Sequence, residues 1–278
     1  MAYGRAVAQR VPLAERMDID LFEALNAEYA ARPLVPAPMA YDHDTIVNRS
    51  INRLKMIHGQ IDLANKDVLV FGCGDGYEIW FLAEGYGSRA TGVDIVEHGG
   101  WATLEGPSRQ YVLADIATEH PFPPESFDRI VSITVLEHVT HPRATLAELY
   151  RTLRPGGLAW ISANLYRGPK ASHRYREVVF PWPHLLFDDP VFHEFYRRRG
   201  LPELGAEWVN RMTWEQYRLE LLSLGFVIRR ERLLETPIDE ALFGRFEWIL
   251  GRYPRRDLER DFFEVVVEKP RGRLGSLR

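Results

Sequence analysis

Three short stretches carry residues whose types and order are suited to holding a nucleoside. The segment Phe71-Gly72-Cys73-Gly74-Asp75-Gly76 follows an apolar run, and its glycines let the backbone bend and approach a ligand closely. Asp94 ends a second apolar run, where a carboxylate can accept hydrogen bonds from both hydroxyl groups of a ribose. Asp115 and Ile116 end a third run, where the acid can bond an adenine amino group and the isoleucine can cover the ring. Together the three stretches predict an adenosine pocket across neighbouring strand ends.

Plainer interpretations of the same residues stay open. The loop could be a tight turn without a ligand, Asp94 a helix cap, and Asp115-Ile116 a turn acid followed by a core residue. A dinucleotide fingerprint, G-x-G-x-x-G, would need glycine at the position of Tyr77. The loop also lacks the G-K-[ST] motif, which disfavours a P-loop nucleotide site.

A candidate general base follows the fourth apolar run. Histidine is the side chain best suited to proton transfer near neutral pH, and His138 is the candidate catalytic residue. A histidine that only caps the loop before Pro142 is the alternative. His141 is the weaker candidate and is assigned to the substrate site. The two histidines have no evident third ligand, so we expect no metal. Cys73, the single cysteine, has no histidine close in sequence and is a poor candidate nucleophile.

Apolar periodicity predicts the elements that must position these residues. Strands are expected at 67–71, 90–93, 111–114, 128–134, 158–163, 226–232 and 262–267. Helices are expected along the stripe from 47 to 61 with Asp42 or Asp44 as its cap, at 77–84 before Gly85, and at 142–154, 213–224 and 238–250. Alternating strands and helices predict an α/β fold with a mostly parallel sheet and helices on both faces.

An insertion from Leu165 to Met212 breaks this alternation and is dense in aromatic residues, histidine and proline. We predict that it forms a lid over the cleft. Its candidate substrate residues are Arg167, His173, Tyr175, Trp182 and His184. The alternative is a second small hydrophobic core that holds the insertion together. The predicted organisation is an N-terminal helical cap and linker at 1–66, a main domain at 67–270 with the lid at about 165–212, and a flexible tail at 271–278.

Composition limits the class of protein. The 278 residues are 46% hydrophobic and 27% charged with a net charge of −4, which is ordinary for a globular protein and excludes disorder or coiled coil as the main class. No apolar run approaches the ~18 residues of a membrane span, and the N-terminus has no apolar signal core. We therefore expect a cytoplasmic protein, a monomer or homodimer, that binds neither membranes nor nucleic acid.

Taken in order, the residues resemble those of the class I S-adenosylmethionine-dependent methyltransferases, especially the type 11 small-molecule group. The similar blocks are VLVFGCGDG (68–76), TGVDI (91–95), ADI (114–116), FPPESFDRIVSITVLEHV (122–139), LRPGGLAWIS (153–162) and MTWEQYRLELLSLGF (212–226). The resemblance implies a Rossmann-like, seven-stranded sheet whose last strand is antiparallel and lies between strands five and six. It implies S-adenosylmethionine as the cofactor, bound by Phe71, Gly72, Cys73, Gly74, Gly76, Asp94, Ile95, Asp115, Ile116 and Thr134.

One position departs from the family pattern. Val70 stands where the family usually has an acidic residue that helps place the methionine part of the cofactor. Glu78, or a residue of the N-terminal segment, is the candidate replacement.

The functional prediction is methyl transfer to a small-molecule acceptor, at an oxygen of a sugar, a phenol or a natural-product intermediate. Positioning the acceptor would supply most of the rate, and His138 would take its proton. Methylation of nucleobase amino groups is disfavoured, because Ser132 to Val135 do not form the [DNS]-P-P-[FYW] tetrapeptide. A non-catalytic binding protein with this fold and a nicotinamide-dependent oxidoreductase are the rival hypotheses.

Overall fold

A computed structural model describes residues 16–36, 40, 42–205 and 210–272. They fall into two units. The larger unit comprises 40, 42–166, 210–235 and 261–272, and the smaller one comprises 16–36, 167–205 and 236–260. Most of the predicted tail at 271–278, the start of the predicted N-terminal cap and positions 206–209 of the predicted lid lie outside the described residues.

A seven-stranded sheet forms the centre of the larger unit. Its strands are β1 (Asp67–Phe71), β2 (Arg89–Asp94), β3 (Arg109–Leu113), β4 (Phe127–Ile133), β5 (Leu153–Asn164), β6 (Val227–Glu235) and β7 (Arg260–Glu268). The strand order is β3-β2-β1-β4-β5-β7-β6. The first five strands pair in parallel, whereas β7 runs antiparallel to β5. The predicted Rossmann-like topology, with the last strand between the fifth and the sixth, is therefore confirmed.

Helices cover both faces of this sheet because alternate strand residues point to opposite sides. The helices of the larger unit are α2 (His43–Ile61), α3 (Tyr77–Tyr86), α4 (Trp101–Leu104), α5 (Pro142–Thr152) and α8 (Trp214–Ser223). Val68 and Val70 pack into a core with residues of α2, α3 and α4. Leu69 and Phe71 pack into a second core with residues of α5 and α8. Each strand of the sheet centre is thus buried on both sides, which explains its continuous apolar sequence.

The smaller unit has a core of its own. Its helices are α1 (Ile19–Tyr29), α6 (Pro183–Leu186), α7 (Asp189–Arg198), α9 (Glu240–Arg245), α10 (Glu247–Leu250) and α11 (Arg255–Glu259). The ring of Phe22 lies 4.9–5.2 Å, centroid to centroid, from the rings of Phe180, Phe187, Phe192 and Phe195. Tilted and edge-to-face pairs at this spacing add to the stabilisation that burial provides. The aromatic residues of the insertion therefore build a hydrophobic core within this unit.

Two helix caps agree with the sequence. Asp42 caps α2 by accepting a hydrogen bond from the backbone N–H of Thr45. Thr213 and Gln216 form the capping box of α8. A short polar side chain in extended backbone just before an apolar stripe is the signal that locates such ends.

Several predicted boundaries are wrong, three of them with a clear structural reason. Gly85 does not end α3, which continues to Tyr86 and stops at Gly87, where φ is +64°. The predicted helix at 238–250 is two short helices that meet at Phe246, whose backbone leaves the helical region. β5 begins at Leu153, not at residue 158, because Leu153 pairs with Phe127 before a register shift. A glycine ends a helix where its backbone takes the left-handed conformation, and the sequence alone did not distinguish Gly87 from Gly85 as that residue.

Candidate functional site

The glycine loop is held against the end of β2. The backbone N–H groups of Gly72 and Cys73 donate to the carbonyl oxygen of Val93 at 2.9 and 3.2 Å. The N–H of Gly74 donates to Oδ2 of Asp94 at 2.9 Å. Gly74 has φ +49° and open space where a Cβ would stand. The loop is therefore a cradle with room for a ligand beside the Asp94 carboxylate.

Two aromatic residues that the sequence did not single out brace this loop. The indole N–H of Trp101 donates to the carbonyl oxygen of Gly74 at 2.8 Å. The hydroxyl of Tyr111 donates to the carbonyl oxygen of Gly76 at 3.2 Å, and the two rings stack with centroids 5.4 Å apart. Neither contact has a sequence signature, because α4 and β3 meet the loop only after the sheet has formed.

One cavity gathers half of the ten residues predicted to bind the cofactor. These five residues line it together with the two candidate histidines: Phe71, Gly72, Asp94, Ile95, Asp115, His138 and His141. Oδ1 of Asp94 accepts from the N–H of Val96 at 3.2 Å, and Oδ1 of Asp115 accepts from the N–H of Ala117 at 2.9 Å. Both carboxylates are thus fixed by backbone donors at neighbouring strand ends, and their remaining lone pairs are available to a ligand.

Three predicted cofactor residues, Ile116, Gly76 and Thr134, are not among the residues that line this cavity. Ile116 is buried in the sheet core, and Ala117 lines the cavity beside Asp115. Gly76 caps α3 in a left-handed conformation. Thr134 has φ +54°, and its N–H and hydroxyl bond the carbonyl oxygens of Ser162 and Ile133.

A second cavity lies on the other side of the glycine loop. Val70, Cys73 and Glu78 line it together with Arg49 and Arg53 of α2. The two arginines are one helical turn apart, so they share a face of α2. The cavity residues at 46, 49, 50 and 53 lie on the face of α2 beside its apolar stripe, and the sequence prediction rested on the stripe alone.

Two acids also line this second cavity and differ in their surroundings. Asp75 lies 3.2 Å from the His98 ring nitrogen, an ion-pair distance. Glu78 forms no hydrogen bond or ion pair with any described residue. The cavity therefore offers guanidinium groups and a carboxylate that is available to a ligand.

The surroundings of Cys73 disfavour a role as nucleophile. Burial, together with the nearby Asp94 carboxylate, raises the pKa of the Cys73 thiol to about 12. A thiol of that pKa stays protonated at neutral pH and reacts slowly.

His138 belongs to a short 3-10 turn, Leu136–His138, that follows β4. Its neighbour Glu137 is fully buried, and Oε1 of Glu137 accepts from Nδ2 of Asn164 at 2.5 Å. Burial raises the pKa of the Glu137 carboxyl. The turn thus places one histidine in the cavity wall and one buried acid behind it.

The five predicted substrate residues of the insertion belong to the smaller unit. Trp182 is fully buried there, and its indole N–H donates to the carbonyl oxygen of Leu258 at 3.0 Å. Arg167 forms a 2.6 Å ion pair with Asp257 and lies over the Tyr253 ring. The remaining three are His173, at φ +56°, the half-buried Tyr175 and the buried His184.

Two kinds of feature are not found among the described residues. No group of three or more histidine, cysteine or acidic side chains is arranged to hold a metal ion in that part of the chain. None of its helices is long and apolar enough to span a membrane.

The chain was compared with families and proteins already known. Residues 69–161 match the family model described as "Methyltransferase domain", type 11. A "Ubiquinone biosynthesis O-methyltransferase" from Pseudomonas putida (strain W619) is 34% identical over 206 residues, covering 69% of this chain and 80% of that protein. A protein of the same name from Pseudomonas savastanoi is 32% identical over 170 residues, 56% of this chain and 66%, just under two thirds, of that protein.

A solved structure has a similar fold. The S-adenosylmethionine-dependent methyltransferase from Mesorhizobium loti superimposes with a TM-score of 0.54 at 18% identity, covering 80% of this chain and 99% of that one. At this identity the likeness shows the fold alone.

Proposed function

This chain belongs to the class I S-adenosylmethionine-dependent methyltransferases, and we propose that it methylates an oxygen atom of a small-molecule acceptor. S-adenosylmethionine is the cofactor of the family. The observation that carries the proposal is the cavity in which the glycine loop, Asp94 and Asp115 converge. Oxygen is proposed because the relatives that align over most of their length are named O-methyltransferases.

The residues of the first cavity fit the nucleoside part of this cofactor. Phe71 and Gly72 of the glycine loop line this cavity. Gly74, which lines the second cavity, leaves open the space that a side chain would fill, so the ligand can approach the backbone there. Asp94 has lone pairs left for the two ribose hydroxyls after accepting from Gly74 and Val96. Asp115 would accept from the adenine amino group, and the exposed side chain of Ile95 would cover the ring.

The residues of the second cavity fit the methionine part. This part carries one carboxylate and one ammonium group, so its site needs charges of both signs. Arg49 and Arg53 supply the cations, and Glu78 supplies the anion that Val70 cannot. We propose that Glu78 bonds the ammonium group, since Asp75 already faces His98.

The reaction needs a positioned acceptor and a place for its proton. When bound, the cofactor supplies an electrophilic methyl group on a sulfonium, and transfer to oxygen is an in-line displacement. His138, in the wall of the nucleoside cavity, is the proposed base that accepts the hydroxyl proton. Burial raises the pKa of the neighbouring Glu137 carboxyl, and its Oε1 already accepts from Nδ2 of Asn164, so Glu137 is not the proposed base.

The acceptor is proposed to be a phenol or a sugar hydroxyl. His141 lines the same cavity as His138, and we propose that it contacts the acceptor there. The insertion residues Arg167, His173, Tyr175, Trp182 and His184 stay proposed substrate residues. Of these, Tyr175 is the most informative to replace, because Trp182 and Arg167 already serve packing and ion pairing in the smaller unit.

Calorimetry followed by a transfer assay tests this proposal. S-adenosylhomocysteine should bind the wild-type chain, and tritiated methyl groups should pass to one member of a panel of catechols, phenolic acids and sugars. His138→Ala should keep the binding and lose the transfer at neutral pH. Binding without transfer to any member would favour the alternative, a non-catalytic protein of this fold, for which Val70 is the specific observation. Transfer that His138→Ala leaves unchanged would reject the proposed base.

A further inference from the structure

The side chain of Asn210 reaches the turn that carries His138. Its Nδ2 donates to the carbonyl oxygen of Leu136 at 2.7 Å and lies 3.5 Å from that of Val139. Its backbone N–H donates to the carbonyl oxygen of Glu137 at 2.6 Å. One residue therefore bonds carbonyl groups at the start, middle and end of the turn.

This turn needs such an outside partner. A 3-10 turn of three residues satisfies few of its own backbone groups; here the N–H of His138 donates to Val135 and that of Val139 to Leu136. Without the N–H of Asn210, the carbonyl oxygen of the buried Glu137 would lose its donor, which costs free energy. The primary amide of asparagine has two N–H donors in a fixed plane and suits neighbouring carbonyl oxygens.

Asn210 is itself held by residues that follow it in the chain. Its Oδ1 accepts from the N–H of Met212 at 3.2 Å, and the hydroxyl of Tyr217 lies 3.0 Å from Oδ1 and 2.9 Å from Nδ2. Tyr217 is fully buried in α8. The amide plane is therefore fixed by α8, and the turn is fixed by the amide.

A second contact holds the same turn from β5. Glu137 is fully buried, and Nδ2 of Asn164 donates to its Oε1. The turn thus meets polar partners from two elements, Asn164 at the end of β5 and Asn210 before α8. Its outward residue, His138, lines the nucleoside cavity together with Val139.

We propose that Asn210 is a positioning residue that holds the turn 136–139, so that His138 and Val139 keep their places in the cavity wall. Asn210 lies outside both cavities and acts through the turn rather than on the cofactor or the acceptor. The inference rests on the proposed function only in treating this cavity as the nucleoside site. Nothing in it depends on which acceptor is methylated.

The test uses the full chain and S-adenosylhomocysteine as the probe. Asn210→Ala removes the amide, and Asn210→Asp keeps its shape and Oδ1 but loses both donors. Each should weaken the affinity for S-adenosylhomocysteine by about 3- to 10-fold, because a turn that has lost about one hydrogen bond holds the cavity wall less firmly. Amide hydrogen exchange across residues 134–141 should become about tenfold faster.

A matched control separates positioning from general destabilisation. Asp18→Ala removes the N-cap of α1 in the smaller unit and lowers the melting temperature without changing α8 or the turn. It should leave the affinity within twofold and the exchange of 134–141 unchanged. If both Asn210 variants keep wild-type affinity and exchange, or if Asp18→Ala changes them equally, the positioning role is wrong. Failure of the wild type to bind the probe would instead reject the proposed function.

Discussion

Removing the Asp94 carboxylate should abolish most of the affinity for the cofactor. In the structure this carboxylate accepts from the backbone N–H of Gly74 at 2.9 Å and of Val96 at 3.2 Å, so it is fixed before a ligand arrives. Two charge-assisted bonds to the ribose hydroxyls, at about 1.5–3 kcal/mol each, together contribute about 3–6 kcal/mol. Since each 1.4 kcal/mol is tenfold, Asp94→Ala should weaken the binding of S-adenosylhomocysteine by at least about 100-fold.

Titration calorimetry at neutral pH measures this directly. Asp75→Ala is the matched control, because Asp75 lies in the same loop but is exposed and faces His98. It should change the affinity by less than about threefold. Asp94→Asn keeps one acceptor oxygen and should fall between the two variants. If Asp94→Ala binds the probe as tightly as the control does, the nucleoside is not held as proposed.

Three further changes test neighbouring parts of the site. Gly74→Ala should lower the affinity for S-adenosylhomocysteine by more than about tenfold, because a φ of +49° strains an L residue and the new methyl group fills the ligand's space. Unchanged affinity in calorimetry would contradict this. Glu78→Gln should weaken the binding of S-adenosylhomocysteine by about tenfold. The control Glu84→Gln should not weaken it, because Glu84 lies further along α3 and pairs with Arg109. Equal effects of the two variants would argue against an ammonium site at Glu78. Cys73 should resist iodoacetamide at pH 8, since its pKa near 12 leaves almost no thiolate; rapid labelling seen by mass spectrometry would refute its burial.

The fold could be predicted from the sequence because its strands have a clear sequence pattern. Strands such as Asp67–Phe71 are short apolar runs that end in glycine or aspartate, and their parallel pairing follows from the helices between them. The position of Asp94 at the end of β2 followed from that reading, and the structure brings it to the glycine loop.

Other features depended on contacts that no local pattern encodes. Arg49 and Arg53 lie beside the apolar stripe of α2, next to the buried Ser50, and polar residues at the border of such a stripe are usually only solvated. Trp101 reaches the loop from a helix of four residues, too short to be predicted by periodicity. Asn210 is informative only once the turn after β4 lies beside it.

The exact ends of the helices also could not be predicted from the local sequence. Gly85 and Gly87 are equally plausible ends of α3 in the sequence, and only the left-handed backbone of Gly87 distinguishes them. The break at Phe246 likewise reflects packing within the smaller unit, where Phe246 is buried, rather than a helix-breaking residue.

Transfer of an isotopically labelled methyl group is the most direct measurement of what this chain does. The purified protein would be incubated with S-adenosylmethionine carrying a trideuterated methyl group and the acceptor panel, and products would be located by mass spectrometry and NMR. We expect one acceptor to gain the label on a hydroxyl oxygen, with S-adenosylhomocysteine formed in equal amount. Label on nitrogen or carbon, or no labelled product from a chain that binds S-adenosylhomocysteine tightly, would contradict it.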